Sequence, residues 1–136
     1  MTIYHSVTEL IGHTPLIQLH KLDTGLCSLF LKLENQNPGG SIKDRVALSM
    51  INEAERNGQL QPGGTIIEAT AGNTGLGLAL IAAQKGYSLI LVVPDKMSRE
   101  KIFHLRALGG SGGTDPAPML IRATLPTIRI TRNVCE

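Results

Sequence analysis

The sequence predicts an α/β fold, a mostly parallel sheet with flanking helices, and three observations carry that expectation. From residue 1 to residue 109, short β-branched or leucine-rich runs alternate with helical patterns. Gly, Pro and Asn stand between the runs, where turns and helix ends need them. The run Ser88-Leu-Ile-Leu-Val-Val93 is apolar on both faces, as an interior strand of a parallel sheet is.

Taken in chain order, residues 28–33 (Ser-Leu-Phe-Leu-Lys-Leu) read as the first strand. Residues 41–57 read as a helix, because Ile42, Val46, Met50, Ile51 and Ala54 recur at spacings of three and four. Gly58 follows where a C-terminal cap belongs. Ser41 and Asp44 have the S-x-x-D spacing of a capping box, which sets Lys43 in the first helical turn. Residues 64–69 (Gly-Thr-Ile-Ile-Glu-Ala) form the next strand. Residues 73–85, with Leu76, Leu78, Ala79, Leu80, Ile81, Ala82 and Ala83, form a helix apolar almost all round, packed on the sheet and ended by Gly86. A third helix is expected at residues 98–108, with Ser98 as N-cap, Met97 and Ile102 as a hydrophobic staple and Gly109 as terminator.

Length and composition exclude several kinds of function. A chain of 136 residues has the size of one compact domain. Its net charge of +2 contains no run of like charges, so nothing builds a nucleic-acid groove. Cys27 and Cys135 lack redox or zinc spacing, and His5, His13, His20 and His104 form no metal-ligand pattern. No apolar stretch approaches the roughly 20 residues of a membrane span, and the first residues lack a basic region followed by an apolar core. The expectation is a cytoplasmic, metal-free protein acting on small molecules, without nucleic-acid or membrane partners.

Two loop motifs are able to carry chemistry. In Asn37-Pro-Gly-Gly-Ser-Ile-Lys-Asp-Arg45, between strand and helix, Lys43 sits at the positive end of a helix dipole. That end disfavours an ammonium by a few tenths to about 1 kcal/mol. The same field favours the neutral amine a Schiff-base nucleophile requires. Position alone leaves open an exposed lysine with no such task. In Glu68-Ala-Thr-Ala-Gly-Asn-Thr-Gly-Leu-Gly77 the glycines run G-x-x-G-x-G, which matches neither a dinucleotide fingerprint nor a P-loop. What remains is a helix N-terminus whose N–H groups, with the Thr70, Asn73 and Thr74 side chains, can receive a carboxylate or phenolate oxygen, or a glycine-rich turn serving helix packing alone.

In this order the two motifs are far more specific. With Leu10-Ile-Gly-His-Thr-Pro-Leu16, Pro62-Gly-Gly64, Val93-Pro-Asp-Lys-Met-Ser98 and Leu105-Arg-Ala-Leu-Gly109, the run from Ile11 to Leu108 resembles the pyridoxal-phosphate-dependent cysteine synthase and cystathionine β-synthase family. Glu68-Ala-Thr-Ala-Gly-Asn-Thr-Gly75 and Arg99-Glu-Lys101 are most similar to the bacterial cystathionine β-synthase branch. The resemblance implies a partial tryptophan-synthase-β-like (fold type II) structure and pyridoxal phosphate as cofactor. By position, Lys43 would bind the cofactor covalently and move the substrate's α-proton, and Asn73 would hydrogen-bond its phenolic oxygen. Thr70, Ala71, Gly72, Asn73 and Thr74 would hold the amino-acid carboxylate. The implied reaction is β-replacement, in which serine or O-acetylserine loses its β-substituent and accepts a thiol. The family is usually homodimeric. Ala71 stands where many members have serine, and His13 where asparagine is usual.

After Gly109 the pattern fails. Residues 110–118 (Gly-Ser-Gly-Gly-Thr-Asp-Pro-Ala-Pro) are linker-like, and the rest shows neither sustained alternation nor a helical stripe. The family's glycine- and threonine-rich phosphate loop and its later serine facing the pyridine nitrogen are not recognisable. Back-translation offers a reason. Read from the third base of each codon, residues 118–136 admit Asp-Val-Asp-Lys-Gly-His-Pro-Ala-Tyr-Tyr-Gln-Asp-Tyr-Ala-Glu-Arg-Leu-Arg, which resembles the continuation in bacterial cystathionine β-synthases. Read from the second base, residues 110–115, with two bases of codon 109 and one of codon 116, admit Ala-Glu-Val-Val-Val-Leu-Thr, the strand an α/β chain owes at this point. Residues 1–109 thus read as the N-terminal portion of such an enzyme and residues 110–136 as a frameshifted tail. A sheet cut after its third strand exposes an unpaired edge, so weak stability and little activity are expected. Two other readings stand beside this one: a non-catalytic fragment or binding module, and a serine or threonine dehydratase of the same fold.

Overall fold

The computed structural model describes residues 3–70, 72–94, 105, 107 and 119–123. A 3₁₀ turn over Val7–Leu10, closed by the Ser6 hydroxyl accepting from the Thr8 amide at 3.2 Å, leads into β1 (Leu16–Leu19). β1 pairs with β2 (Leu29–Lys32), and a second 3₁₀ turn, Glu34–Gln36, precedes α1 (Lys43–Arg56). Then come β3 (Thr65–Ala69), α2 (Asn73–Lys85), β4 (Ser88–Pro94) and β5 (Met119–Ala123).

The strands form two sheets. β3, β4 and β5 are parallel, in that order, with Ile67 opposite Ile90 and Val92 opposite Ile121. β1 and β2 make a separate antiparallel pair, Ile17 opposite Leu31. The strand at residues 28–33 therefore does not join the parallel sheet. Its partner lies only nine residues upstream, a connection too short for the crossover that parallel pairing needs. β1 itself, four residues with no clean alternation, has no sequence signal of its own.

The predicted helices at 41–57 and 73–85 form at Lys43–Arg56 and Asn73–Lys85. α2 ends at Gly86, whose φ of 76° is left-handed and whose N–H reaches the Ala82 carbonyl. α2 is the middle layer, between α1 on one side and the β3–β4 face on the other. Its buried Leu78, Ala79, Ile81 and Ala82 meet Ala47 and Ile51 of α1, Leu89 and Leu91 of β4, and Leu105. Burying a leucine or isoleucine side chain is worth about 1.5–3 kcal/mol, so these contacts dominate the core. Double cover explains why α2 is apolar all round while α1 is amphipathic.

At the far end of the helix pair, the Lys85 ammonium donates to the Glu55 carboxylate (2.7 and 2.9 Å) and to Asn52 Oδ1 (2.8 Å), and the Tyr87 hydroxyl donates to Glu55 at 2.7 Å. The donors hold the Glu55 carboxyl below its ordinary range. Other apolar surface stays open. Ile67 projects from the sheet face opposite α2, and Ile42, Val46 and Met50 form an exposed stripe along α1.

Two more expectations change. The Ser41–Asp44 capping box does not form: α1 begins at Lys43, and Ile42 before it is already helical at φ −59° and ψ −19°, with no side-chain hydrogen bond capping the helix. A capping box needs an extended cap residue. Here a turn closed by Gly40 N–H on the Asn37 carbonyl (2.8 Å) runs directly into one closed by Asp44 N–H on the Ser41 carbonyl (3.3 Å). Ser41 Oγ accepts from the Lys43 amide at 3.1 Å, and Asp44 turns inward instead. Secondly, the tail does hold a strand: the backbone of β5 pairs along the edge of β4 that was expected to stand bare. An unpaired parallel edge is a template for any extended apolar segment, and Met-Leu-Ile-Arg-Ala is one. Of the third helix, Leu105 and Ala107 are helical and Leu105 is buried; Ser98, Met97, Ile102 and Gly109 lie outside the described residues.

Candidate active site

α1 and α2 start side by side because of Gly77. A Cβ placed there would stand 3.1 Å from the Lys43 carbonyl oxygen, 3.1 Å from the Ala47 Cβ and 3.3 Å from the Asp44 Cα. The missing side chain lets the first turns of the two helices touch. The lysine motif and the asparagine loop, 30 residues apart from Lys43 to Asn73, thereby meet at one end of the helix pair. Lys43 and Asn73 are exposed there, and Thr70, Gly72 and Thr74 are half-buried. Ala71 lies outside the described residues.

The asparagine loop is built from the sheet outward. Thr70 extends β3 by one bond, its amide donating to the Val92 carbonyl at 3.1 Å, and its hydroxyl accepts from the Gly72 amide at 3.3 Å. Gly72 then enters α2 with an extended backbone and no capping side chain. The amides at the start of α2 are therefore not spent on a cap, which leaves a local positive potential at the helix end. Gly75 lets the helix press onto the loop, since a Cβ there would lie 2.8 Å from Thr70 Cγ2 and 3.2 Å from Leu91 Cδ1.

The lysine loop is held from within. Asp44 is fully buried, and its Oδ2 accepts from the Gly39 amide at 2.5 Å while Oδ1 has no partner among the described residues. Burial pushes its carboxyl above the ordinary range, with the Gly39 bond partly opposing. Gly39 cannot carry a side chain, because a Cβ would run into the Asp44 carboxylate.

Glu34, Asn37 and Arg45 form a network that motif reading leaves out. Arg45 grips Glu34 through Nε (2.8 Å to Oε2) and Nη2 (2.9 Å to Oε1). Thr14 Oγ1 donates to Oε1 at 3.1 Å and Asn37 Nδ2 to Oε2 at 2.9 Å. Four donors, Arg45 foremost, pull the Glu34 carboxyl from an ordinary 4.5 to about 2. Gly12 joins both sides: its N–H donates to Asn37 Oδ1 and its carbonyl accepts from Arg45 Nη2, each at 2.8 Å. Its φ of 90° suits glycine alone, and a Cβ would come within 2.6 Å of Arg45 Nη1. No periodicity links residues 12, 34, 37 and 45; Gly12 falls in the Leu10–Leu16 run, Asn37 and Arg45 bound the lysine motif, and Glu34 lies just before it.

Among the described residues no group of His, Cys, Asp and Glu could hold a metal ion, and no helix is long and apolar enough to cross a membrane. The amine, the side-chain amide and the uncapped helix end suit an aldehyde-bearing anionic cofactor and a carboxylate.

Comparison with known proteins agrees. Residues 7–111 match the family described as pyridoxal-phosphate dependent enzyme. The chain is 55% identical over 109 residues to cystathionine beta-synthase of Saccharomyces cerevisiae, covering 77% of this chain and 22% of that one. It is 49% identical over 105 residues to cysteine synthase of Staphylococcus aureus, covering 76% of this chain and 34% of that one. The solved structure of a hydrogen sulfide-producing enzyme from Fusobacterium nucleatum superposes with a TM-score of 0.80 at 44% identity, over 93% of this chain and 39% of that one. The chain thus spans between about a fifth and two-fifths of the length of these relatives. The chain belongs to the pyridoxal-phosphate-dependent enzyme family, in its fold type II, with cystathionine β-synthases and cysteine synthases among its relatives.

Proposed function

We propose that this chain carries the cofactor-lysine half of an enzyme that replaces the β-substituent of serine or O-acetylserine with a thiol. The observation that carries the reading is the Gly77 contact, which sets the start of α1, with Lys43, against the start of α2, with Asn73. Pyridoxal phosphate, when bound, supplies an electron sink for the substrate's α-carbon. The Lys43 amine holds the cofactor and afterwards takes and returns the α-proton. The Asn73 amide orients the cofactor ring through its oxygen. Thr70, Gly72 and Thr74, with the free amides at the start of α2, receive the substrate carboxylate; Ala71 joins them on sequence grounds, through its backbone N–H. Identity of 55% to a cystathionine β-synthase against 49% to a cysteine synthase supports the cystathionine branch.

Absorbance tests the cofactor assignment. The 136-residue protein mixed with pyridoxal phosphate gives the near-visible band of lysine-bound cofactor, and Lys43→Ala loses it. No band in the unmutated chain would leave a non-catalytic fragment, a reading favoured by the open exposure of Lys43 and Asn73. The frameshift reading of residues 110–136 belongs to the same proposal and is tested by resequencing the locus; DNA that cannot be read as the family-like string in another frame refutes it. A frame-restored protein assayed with serine plus homocysteine, against O-acetylserine plus sulfide, decides the substrate pair.

A further inference from the structure

We propose that Glu34 is a positioning residue that ties together Asn37 and Arg45, the two ends of the loop bearing Lys43, and so fixes where the Lys43 amine stands. One carboxylate oxygen joins both ends: Oε2 accepts from Asn37 Nδ2 at 2.9 Å and from Arg45 Nε at 2.8 Å, while the Glu34 backbone carbonyl also accepts from Asn37 Nδ2 at 2.8 Å. Asn37 opens the loop, its carbonyl holding the Gly40 amide, and Arg45 closes it two residues past Lys43. Gly12 bridges the same two side chains through its N–H and carbonyl, so the ends are bound twice, once by a carboxylate and once by a peptide. Between the ends, Asp44 pins Gly39. The loop can then shift only if the Glu34 contacts break.

A carboxylate is required. All four groups facing its oxygens are donors, and a side-chain amide would turn an NH₂ toward two of them. Among the described residues Glu34 makes no hydrogen bond to Lys43 or to the asparagine loop, so its effect on the amine passes through the loop ends. The idea rests on Lys43 being the cofactor lysine.

The test compares the full chain with Glu34→Gln by residue-resolved amide exchange, and by borohydride reduction in pyridoxal phosphate followed by mapping the label among Lys21, Lys32, Lys43, Lys85, Lys96 and Lys101. Exchange at Gly39, Gly40 and Lys43 should rise at least tenfold while Leu78–Ala82 in α2 keep their rates, and the share of label on Lys43 should fall at least threefold. Thr14→Val, which removes one Oε1 donor and a long 3.4 Å contact to Arg45 Nη2 but leaves both bonds to Oε2 in place, should change neither. Should Glu34→Gln fail to fold, Arg45→Lys, which keeps the charge but cannot bridge both carboxylate oxygens, replaces it. Unchanged loop exchange, uniform acceleration throughout the chain, or a loosened loop with labelling of Lys43 intact each overturns the proposal. If the unmutated chain shows no preference for Lys43, the cofactor reading fails by itself, and exchange alone then decides whether Glu34 holds the loop.

Discussion

Gly77 lies against the carbonyl oxygen of Lys43, and a side chain at that point would have to push α1 and α2 apart. Two of the three nearest atoms belong to helix backbone and the third is the Ala47 Cβ, none of which yields as the end of a flexible side chain would. Overpacking costs about 1–3 kcal/mol, while leaving glycine gains at most about 1 kcal/mol of helix propensity. Gly77→Val should therefore lower the unfolding free energy by about 2 kcal/mol, read from the urea midpoint. A midpoint equal to or above that of the unmutated chain would mean that the helices are not in contact there.

Acid should unfold this protein partly through Glu34. Its carboxyl is held at about 2 against an ordinary 4.5, so the folded state binds that proton less readily than the unfolded chain. The stabilisation is complete above the ordinary value and lost as pH falls from about 4.5 toward 2. Glu53 and Glu55, lowered by Arg56 and Lys85, act in the same direction. Melting temperatures of Glu34→Gln should accordingly depend less on pH below 4.5 than those of the unmutated chain; parallel curves would refute the assignment.

Asp44 runs the other way. Its carboxyl is raised by burial, so the folded state prefers it protonated, and the cost of burying the charge is relieved as pH falls through the raised value. Asp44→Asn keeps an acceptor for the Gly39 amide and removes the charge. The variant should compare best with the unmutated chain near neutral pH and lose that relative advantage on acidification, in matched denaturant titrations at the two pH values.

β5 protects the edge of β4. Deleting residues 119–123 leaves the backbone groups of Ile90–Pro94 without their parallel partner. Light scattering on warming should rise earlier and faster in the deletion than in the full chain, and an unchanged onset would show that the edge needs no cover.

Much of this architecture is readable in the residues because it is local. The apolar helix at 73–85 is apolar all round since α1 and the sheet both cover it, and Gly58 and Gly86 close their helices where the punctuation indicates. Pro62 and Gly63 likewise make their turn, with the Gly64 amide on the Gln61 carbonyl at 2.9 Å. Periodicity fails where the deciding contact is distant in sequence or made by backbone. The Ser41–Asp44 spacing is right for a cap, yet Asp44 answers to Gly39, and Glu34 answers to Arg45 and Thr14, 11 and 20 residues away. β5 was illegible for another reason: its place depends on the open edge of β4, not on a pattern of its own.

The two ends of the helix pair are fastened independently, at Gly77 against Lys43 and at Lys85 and Tyr87 against Glu55. The exposed connection around Gly58–Gly63 is thus not what holds α1 to α2. A protease cut there would leave the helices associated, and the same point would accept new chain termini in a circular permutant. In this protein the helix pair is a unit by virtue of its contacts, not by continuity of the chain at Gly58–Gly63.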